Sequence, residues 1–257
     1  PLIDEAAHGS LVTVSPRGAT DGVDVYAYPH NETSTGVTSP VYRVAAPNAL
    51  TLVDGTSIAG AAPVDLTQVD AYYFSLQKAL GSDGGLWVAI LSPAAIERAR
   101  RVEECADGRW VPQFLSLSAA IDNSRKDQTL NTPALATIIM AERQVRWLLQ
   151  RGGMDAVSAH CAQASSLIYD WAQANLAARP FVDNPAWRSP VTATIEIDEA
   201  VNASELAAHL RARGIIDIGA YRGVGANQLR IGTWPSVEVE DVEALLACID
   251  YCLERVL

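Results

Sequence analysis

The first third of the chain is punctuated by short apolar runs, each of which stops on a polar residue or a turn former. VDVYAYPH (23–30) begins with alternation and leads into the polar, turn-rich 31–36. ALTLVDG (49–55) closes on Asp54 and Gly55, AYYF (71–74) follows, and GGLWVAILSP (84–93) ends at a proline. Runs of this length, bounded by Gly, Pro, Asn or Asp, read as strands. Helical periodicity then takes over in PAAIERARRVEE (93–104), with Pro93 suited to a first turn. Strands mixed with helices predict an α/β sheet domain. TPALATIIMAERQVRWLLQRGG (132–153) predicts a long helix with Thr132 as cap, Pro133 at the first helical position and Gly152-Gly153 as the stop. A second helix follows over 155–175, and the order then changes to strand 191–197, helix 204–214, strand 227–234 and helix 239–256. That pattern predicts a smaller α+β domain, so the expected division is 1–155 and 156–257.

Composition narrows the function. The 257 residues suffice for one large or two ordinary domains, and 49% hydrophobic with 19% charged residues is globular rather than disordered. No apolar run approaches the roughly 18 to 20 residues that span a bilayer. A net charge of −11 argues against nucleic acid, whose phosphates need clustered Lys and Arg. An anionic substrate would therefore have to be held by a few local arginines. The four cysteines show no metal-ligand spacing, and no metal is expected. Cys248 and Cys252, one turn apart, read as two small core residues on one helix face, whereas Cys105 sits among Glu103, Glu104 and Asp107, where a thiolate is disfavoured. A reducing, cytoplasmic setting is expected. Residue 1 is Pro and no basic-then-apolar leader follows, so no targeting segment is expected and the chain reads as truncated at its amino end.

Three features fall at the ends of the predicted strands: Asn31-Glu32-Thr33, Asp54 and Gln77-Lys78. Ligand groups in open α/β sheets gather beyond the carboxyl ends of strands. Taken singly, a lysine after a strand is usually a solvated surface residue, and an aspartate before glycine is usually a turn former. Their order is what matters. HNETSTGV (30–37), LVDGTS (52–57), DAYYFSLQK (70–78) with SDGGLWVAILSP (82–93), and LNTPA (130–134) together resemble the phosphoserine aminotransferases, fold-type I pyridoxal-phosphate enzymes of class V. The resemblance runs over nearly the whole chain. It implies an incomplete large mixed-sheet α/β domain with a small carboxy-terminal α+β domain.

The resemblance also assigns roles. Lys78 matches the lysine that carries pyridoxal phosphate and shuttles the substrate Cα proton. Asp54 matches the carboxylate against the pyridine nitrogen, Thr33 the donor near the ring oxygen, and Gln77 a contact to the cofactor phosphate. Asn131 and Thr132 match residues that reach that phosphate from the other subunit of a homodimer. Arg230 matches the arginine that forks onto the substrate α-carboxylate, a role suited to a planar guanidinium. Arg222 matches the one that reads the distal phosphate or γ-carboxylate, preceded here by Tyr221 where many members have His. The family's phosphate-cradling loop and its ring-stacking aromatic are expected upstream of Pro1. Trp87 reads as strand packing rather than as a substitute for that aromatic. The activity implied is ping-pong transamination from L-glutamate, leaving 2-oxoglutarate, to 3-phosphohydroxypyruvate. The product, phosphoserine, belongs to serine biosynthesis, and a phosphorylated threonine precursor in pyridoxine synthesis is a related substrate. Alternatives are an alanine–glyoxylate type aminotransferase and a clipped, inactive dimer scaffold. A cysteine desulfurase ranks lower, because Gln77 stands where those enzymes usually place His.

Overall fold

A computed structural model describes residues 2–16, 22–105, 110–221 and 227–255. β1 (Val25–Pro29) leads into a hairpin of β2 (Asn31–Glu32) and β3 (Val37–Thr38), and β4 (Leu50–Asp54), β5 (Ala71–Ser75) and β6 (Trp87–Leu91) follow. β1, β4, β5 and β6 form one sheet in that order, parallel except for β6, which runs antiparallel to β5. The alternation noted in the first run has a structural cause. Tyr26, Tyr28 and His30 point to the buried face, where they join Val53 and Tyr72.

Helices α1 (Pro93–Glu104), α2 (Leu117–Ser124), α3 (Leu135–Gln150) and α4 (Gly153–Ala174) come next. α1 matches its predicted bounds because its signals are local. Ser92 Oγ accepts from the Ala95 N–H at 3.1 Å, and Pro93 fills the first turn. α3 corrects the sequence reading. Its cap position is Ala134, at ψ 87° and with no side-chain cap, so neither Thr132 nor Pro133 belongs to the helix. A residue before proline is pushed away from helical backbone, and the helix starts only beyond that extended stretch. Tertiary bonds hold its first turn instead: Ser82 Oγ donates to the Thr137 carbonyl at 2.7 Å, and Thr137 Oγ1 to that of Gly84 at 3.3 Å.

The chain closes with β7 (Ala178–Pro180), β8 (Thr192–Ile197), α5 (Ala203–Arg211), β9 (Gln228–Gly232) and α6 (Val239–Arg255). β7, β8 and β9 form an antiparallel sheet, with β8 central. Its core gathers Ile195, Leu206, Leu229 and Ile249 against Ile168 and Ala172 of α4. The first turns of α4, at Val157 and Cys161, pack instead with Ile58, Leu76 and Leu80 below the parallel sheet. One helix therefore serves both cores, and the expected boundary near 155 falls inside it. Two expectations fail. Cys252 is buried but Cys248 is exposed, and Trp87 is 48% exposed on the edge strand β6.

The β2–β3 hairpin ties the two sheets together. The Ser189 N–H donates to the Gly36 carbonyl at 2.9 Å, and Val37 bridges to Arg188. Gly36 has φ +76°, and a Cβ there would lie 2.7 Å from the Thr192 carbonyl oxygen. Gly36→Ala is expected to cost about 2 kcal/mol, from left-handed backbone plus a backbone clash; a denaturant midpoint equal to that of the parent would refute the docking.

His30 is buried, and its Nδ1 lies 3.0 Å from the Tyr72 hydroxyl. Burial holds its imidazole down at about 4, from an ordinary 6.5. Between those values the unfolded chain binds a proton that the native state does not. Stability should therefore fall as pH drops from 6.5 to about 4, by up to about 3 kcal/mol. Urea unfolding across this range measures the slope, and His30→Gln should flatten it; an unchanged slope in that variant would exclude His30 as its source.

Candidate active site

Two neighbouring parallel strands deliver two of the sequence-predicted groups to one edge of the sheet. Asp54 is the last residue of β4, in register with Pro29 of β1 and Tyr73 of β5. Its Oδ1 accepts the Thr56 N–H at 2.8 Å, and its own carbonyl accepts the His30 N–H at 2.8 Å. Among the described residues, Oδ2 has no protein partner. Gly55 is required beside it, because a Cβ there would sit 2.2 to 2.6 Å from the ring end of Tyr72. The negative charge of Asp54 adds to burial in raising the hydroxyl pKa of both Tyr72 and Tyr73 above the ordinary tyrosine value.

Lys78 lies in the turn that follows β5. The turn is fixed by the Gly81 N–H on the Lys78 carbonyl and the Ser82 N–H on that of Leu76, both at 2.9 Å, and by the buried side chains of Leu76, Ala79 and Leu80. Lys78 itself is half-buried, and Gln77 is exposed. No carboxylate pairs with Lys78 among the described residues, which leaves its amine available for covalent chemistry.

The third group arrives from the other sheet. Arg230 of β9 donates from one terminal nitrogen to the Thr33 carbonyl at 3.2 Å, linking residues 197 positions apart. Its guanidinium carbon stands 5.0 Å from the centroid of the Tyr221 ring. Its Nε is buried without a partner, and burial lowers its pKa, with Tyr221 acting in the opposite sense. Asn31, next to the hairpin turn, bonds Ser57 Oγ from Nδ2 at 2.9 Å, while its Oδ1 is buried and unpartnered. Among the described residues, a cation without a carboxylate partner, a carboxylate with one oxygen free and an unengaged lysine side chain form a set of groups that fits pyridoxal phosphate and a carboxylate substrate.

Not every predicted residue joins this cluster. Asn131 and Thr132 are exposed, lie along a shallow depression before α3, and bond none of Thr33, Asp54, Lys78 or Arg230. Arg222 lies outside the described residues. The sequence reading missed His30 and Tyr72; the alternation Tyr26, Tyr28, His30 was the available signal for a buried histidine.

The aminotransferase class-V family matches residues 12–224. The phosphoserine aminotransferase of Rhodococcus jostii is 46% identical over 99% of this chain and 67% of its own length. A Mycolicibacterium vanbaalenii relative is 50% identical over 99% of this chain and 68% of its own length. The chain thus spans about two thirds of the length of these curated relatives. In shape, a phosphoserine aminotransferase structure from Cytophaga hutchinsonii agrees with a TM-score of 0.86 over 99% of this chain and 70% of its own, at 24% identity. The fold is fold-type I, and the chain belongs to the class-V aminotransferases, within their pyridoxal-phosphate-dependent phosphoserine aminotransferase group.

Proposed function

We propose that this chain forms the catalytic part of a cytoplasmic phosphoserine transaminase that takes the amino group of glutamate and delivers it to 3-phosphohydroxypyruvate. The observation that carries the reading is that Asp54 and Lys78 lie at the carboxyl ends of the neighbouring parallel strands β4 and β5, while Arg230 of the second sheet reaches the Thr33 carbonyl of the hairpin that follows β1. Pyridoxal phosphate, when bound, supplies an electron sink for the pair left at the substrate Cα. Lys78 holds the cofactor covalently and moves the proton at that carbon. Asp54, with Oδ1 fixed by Thr56, presents Oδ2 to keep the ring nitrogen protonated. Arg230 orients the substrate by its α-carboxylate, Arg222 reads the distal anion, Thr33 donates toward the ring oxygen, and Gln77 contacts the phosphate.

The active unit is a homodimer. Among the described residues Asn131 and Thr132 bond none of Thr33, Asp54, Lys78 or Arg230, and a phosphate contact from them would come from a second copy. Beside them, Leu135, Ile138, Ile139 and Met140 of α3 expose an apolar surface that such a copy buries. The organisation is a large domain over 1–155 and a small one over 156–257, joined through α4.

Lys78→Ala should abolish borohydride fixation of the cofactor and slow turnover by several orders of magnitude; near-normal turnover would end the assignment. Asp54→Asn should keep the fold and slow the chemical step by about 10² or more, read from single-turnover rates; unchanged rates would reduce Asp54 to a turn residue. Mixing Lys78→Ala with Thr132→Ala protein tests the dimer. If sites are shared, heterodimers place both lesions in one site and none in the other, and normal cofactor affinity returns. Only parental behaviour in the mixture would mean that each site is built from one chain.

A further inference from the structure

Of the arginines that lean on tyrosine rings, Arg188 and Arg230 differ in an informative way. Arg188 stands 5.2 Å from the Tyr169 ring, and its three nitrogens are all engaged: Nε with the Val182 carbonyl at 2.9 Å, one terminal nitrogen with Gln173 Oε1 at 2.8 Å, and the other with the Asp183 carbonyl at 3.3 Å. Each of its nitrogens has a protein partner, which points to a structural role. Arg230 has the same ring contact, one carbonyl partner and a buried Nε with none. It also has no carboxylate partner among the described residues, unlike Arg43, Arg151, Arg179 and Arg211. A half-buried guanidinium without a counter-ion is costly unless something offsets the lost hydration. The Thr33 carbonyl and the face of Tyr221 are what this site offers.

The ring is delivered by backbone pairing rather than by chance contact. The Arg230 N–H donates to the Ile218 carbonyl at 2.9 Å, and Gly219 bridges to Leu229, so the strand-like segment leading to Tyr221 is zipped to the start of β9. Tyr221 is 44% exposed, and its ring contact is with Arg230.

We propose that Tyr221 is the positioning residue for carboxylate recognition: its ring holds the face of Arg230 while Thr33 holds one terminal nitrogen, leaving the edge formed by Nε and the other terminal nitrogen as the fork that grips the substrate. This rests on the reading of Arg230 as the α-carboxylate ligand. An aromatic face supports a cation without neutralising it, whereas an aspartate in the same place would compete with the substrate. The Nε edge is shielded from water, where a carboxylate bond is stronger than at the surface.

The test uses the pyridoxal-phosphate-loaded protein with Tyr221→Phe, Tyr221→Leu and Arg230→Gln. It reads KM and kcat for glutamate, together with the Kd of glutarate, an unreactive dicarboxylate, by calorimetry. Tyr221→Leu should raise both KM and the glutarate Kd by about tenfold with kcat within about twofold, and Tyr221→Phe should restore parental values, since the ring face does the holding. Equal losses in the Phe and Leu variants would assign the effect to the hydroxyl and overturn the stacking role. Parental constants in Tyr221→Leu, with a loss of about 100-fold or more in Arg230→Gln, would overturn the inference while keeping Arg230 as ligand. Parental constants in Arg230→Gln would overturn the reading of Arg230 itself.

Discussion

The hairpin at 31–38 is gripped from both sides, and the site exists only because of that grip. On one side Asn31 bonds Ser57, and the Ser39 N–H returns to the His30 carbonyl, tying the hairpin to the ends of β1 and β4. On the other, Gly36 lies flat against β8, Ser189 donates to its carbonyl, and Arg230 reaches the Thr33 carbonyl. These are mostly backbone groups, which must find partners when buried. The contact is correspondingly intolerant of an added side chain. Asp54 ends a strand of the four-stranded sheet and Lys78 follows one, whereas Arg230 lies on the three-stranded sheet, so the hairpin, together with α4, sets how the three proposed groups are placed.

Topology explains why residues far apart in sequence meet. β4 and β5 run parallel, so the residues that end or follow them, Asp54 and Lys78, emerge at the same edge. Parallel pairing demands a long return between strands, and the segment between Asp54 and Ala71 supplies it while burying Ile58, Ala61 and Val69. β6 then turns back antiparallel, which leads the chain away to α1. Arg230 reaches the same region from β9, an antiparallel sheet with its own core. Among the described residues the hairpin joins the two sheets by backbone bonds, and α4 packs into the cores on both sides.

What was legible in the sequence was what local chemistry decides. The bounds of α1 follow from Ser92 and Pro93, and each strand candidate holds because alternation or a bounded apolar run marks a face. The start of α3 was misread because a threonine before a proline looks like a cap, whereas tertiary bonds from Ser82 and Thr137 set the entry. α2 went unseen inside a stretch rich in turn formers, although Ser116 caps it, accepting from the Ala119 N–H at 3.0 Å. Cys248 and Cys252 are a helical turn apart, yet only one faces the core, since the buried stripe of α6 runs through Val242, Leu246, Ile249 and Cys252. For the site, motif order named Asp54, Lys78 and Arg230. It was silent on what holds them, because the Gly55–Tyr72 approach, the His30–Tyr72 bond and the Arg230–Tyr221 stack depend on register across strands.

The distribution of charge completes the picture. A chain with a net charge of −11 repels anions on average, and several arginines among the described residues are locally cancelled: Arg151 by Glu238, Arg179 by Glu196, Arg211 by Asp217. Such exposed pairs add little stability, but they remove competing positive sites. Arg230 is different in kind. It is half-buried, supported by a carbonyl and a ring, and carries a charge that nothing within hydrogen-bonding distance neutralises among the described residues. In water-poor surroundings that charge is less screened and its N–H groups are directional, so the proposed carboxylate would be recognised by fit against an unfavourable overall field. In the proposed reading, selectivity for a carboxylate on an acidic protein follows from how Arg230 is placed, not from how many arginines the chain has.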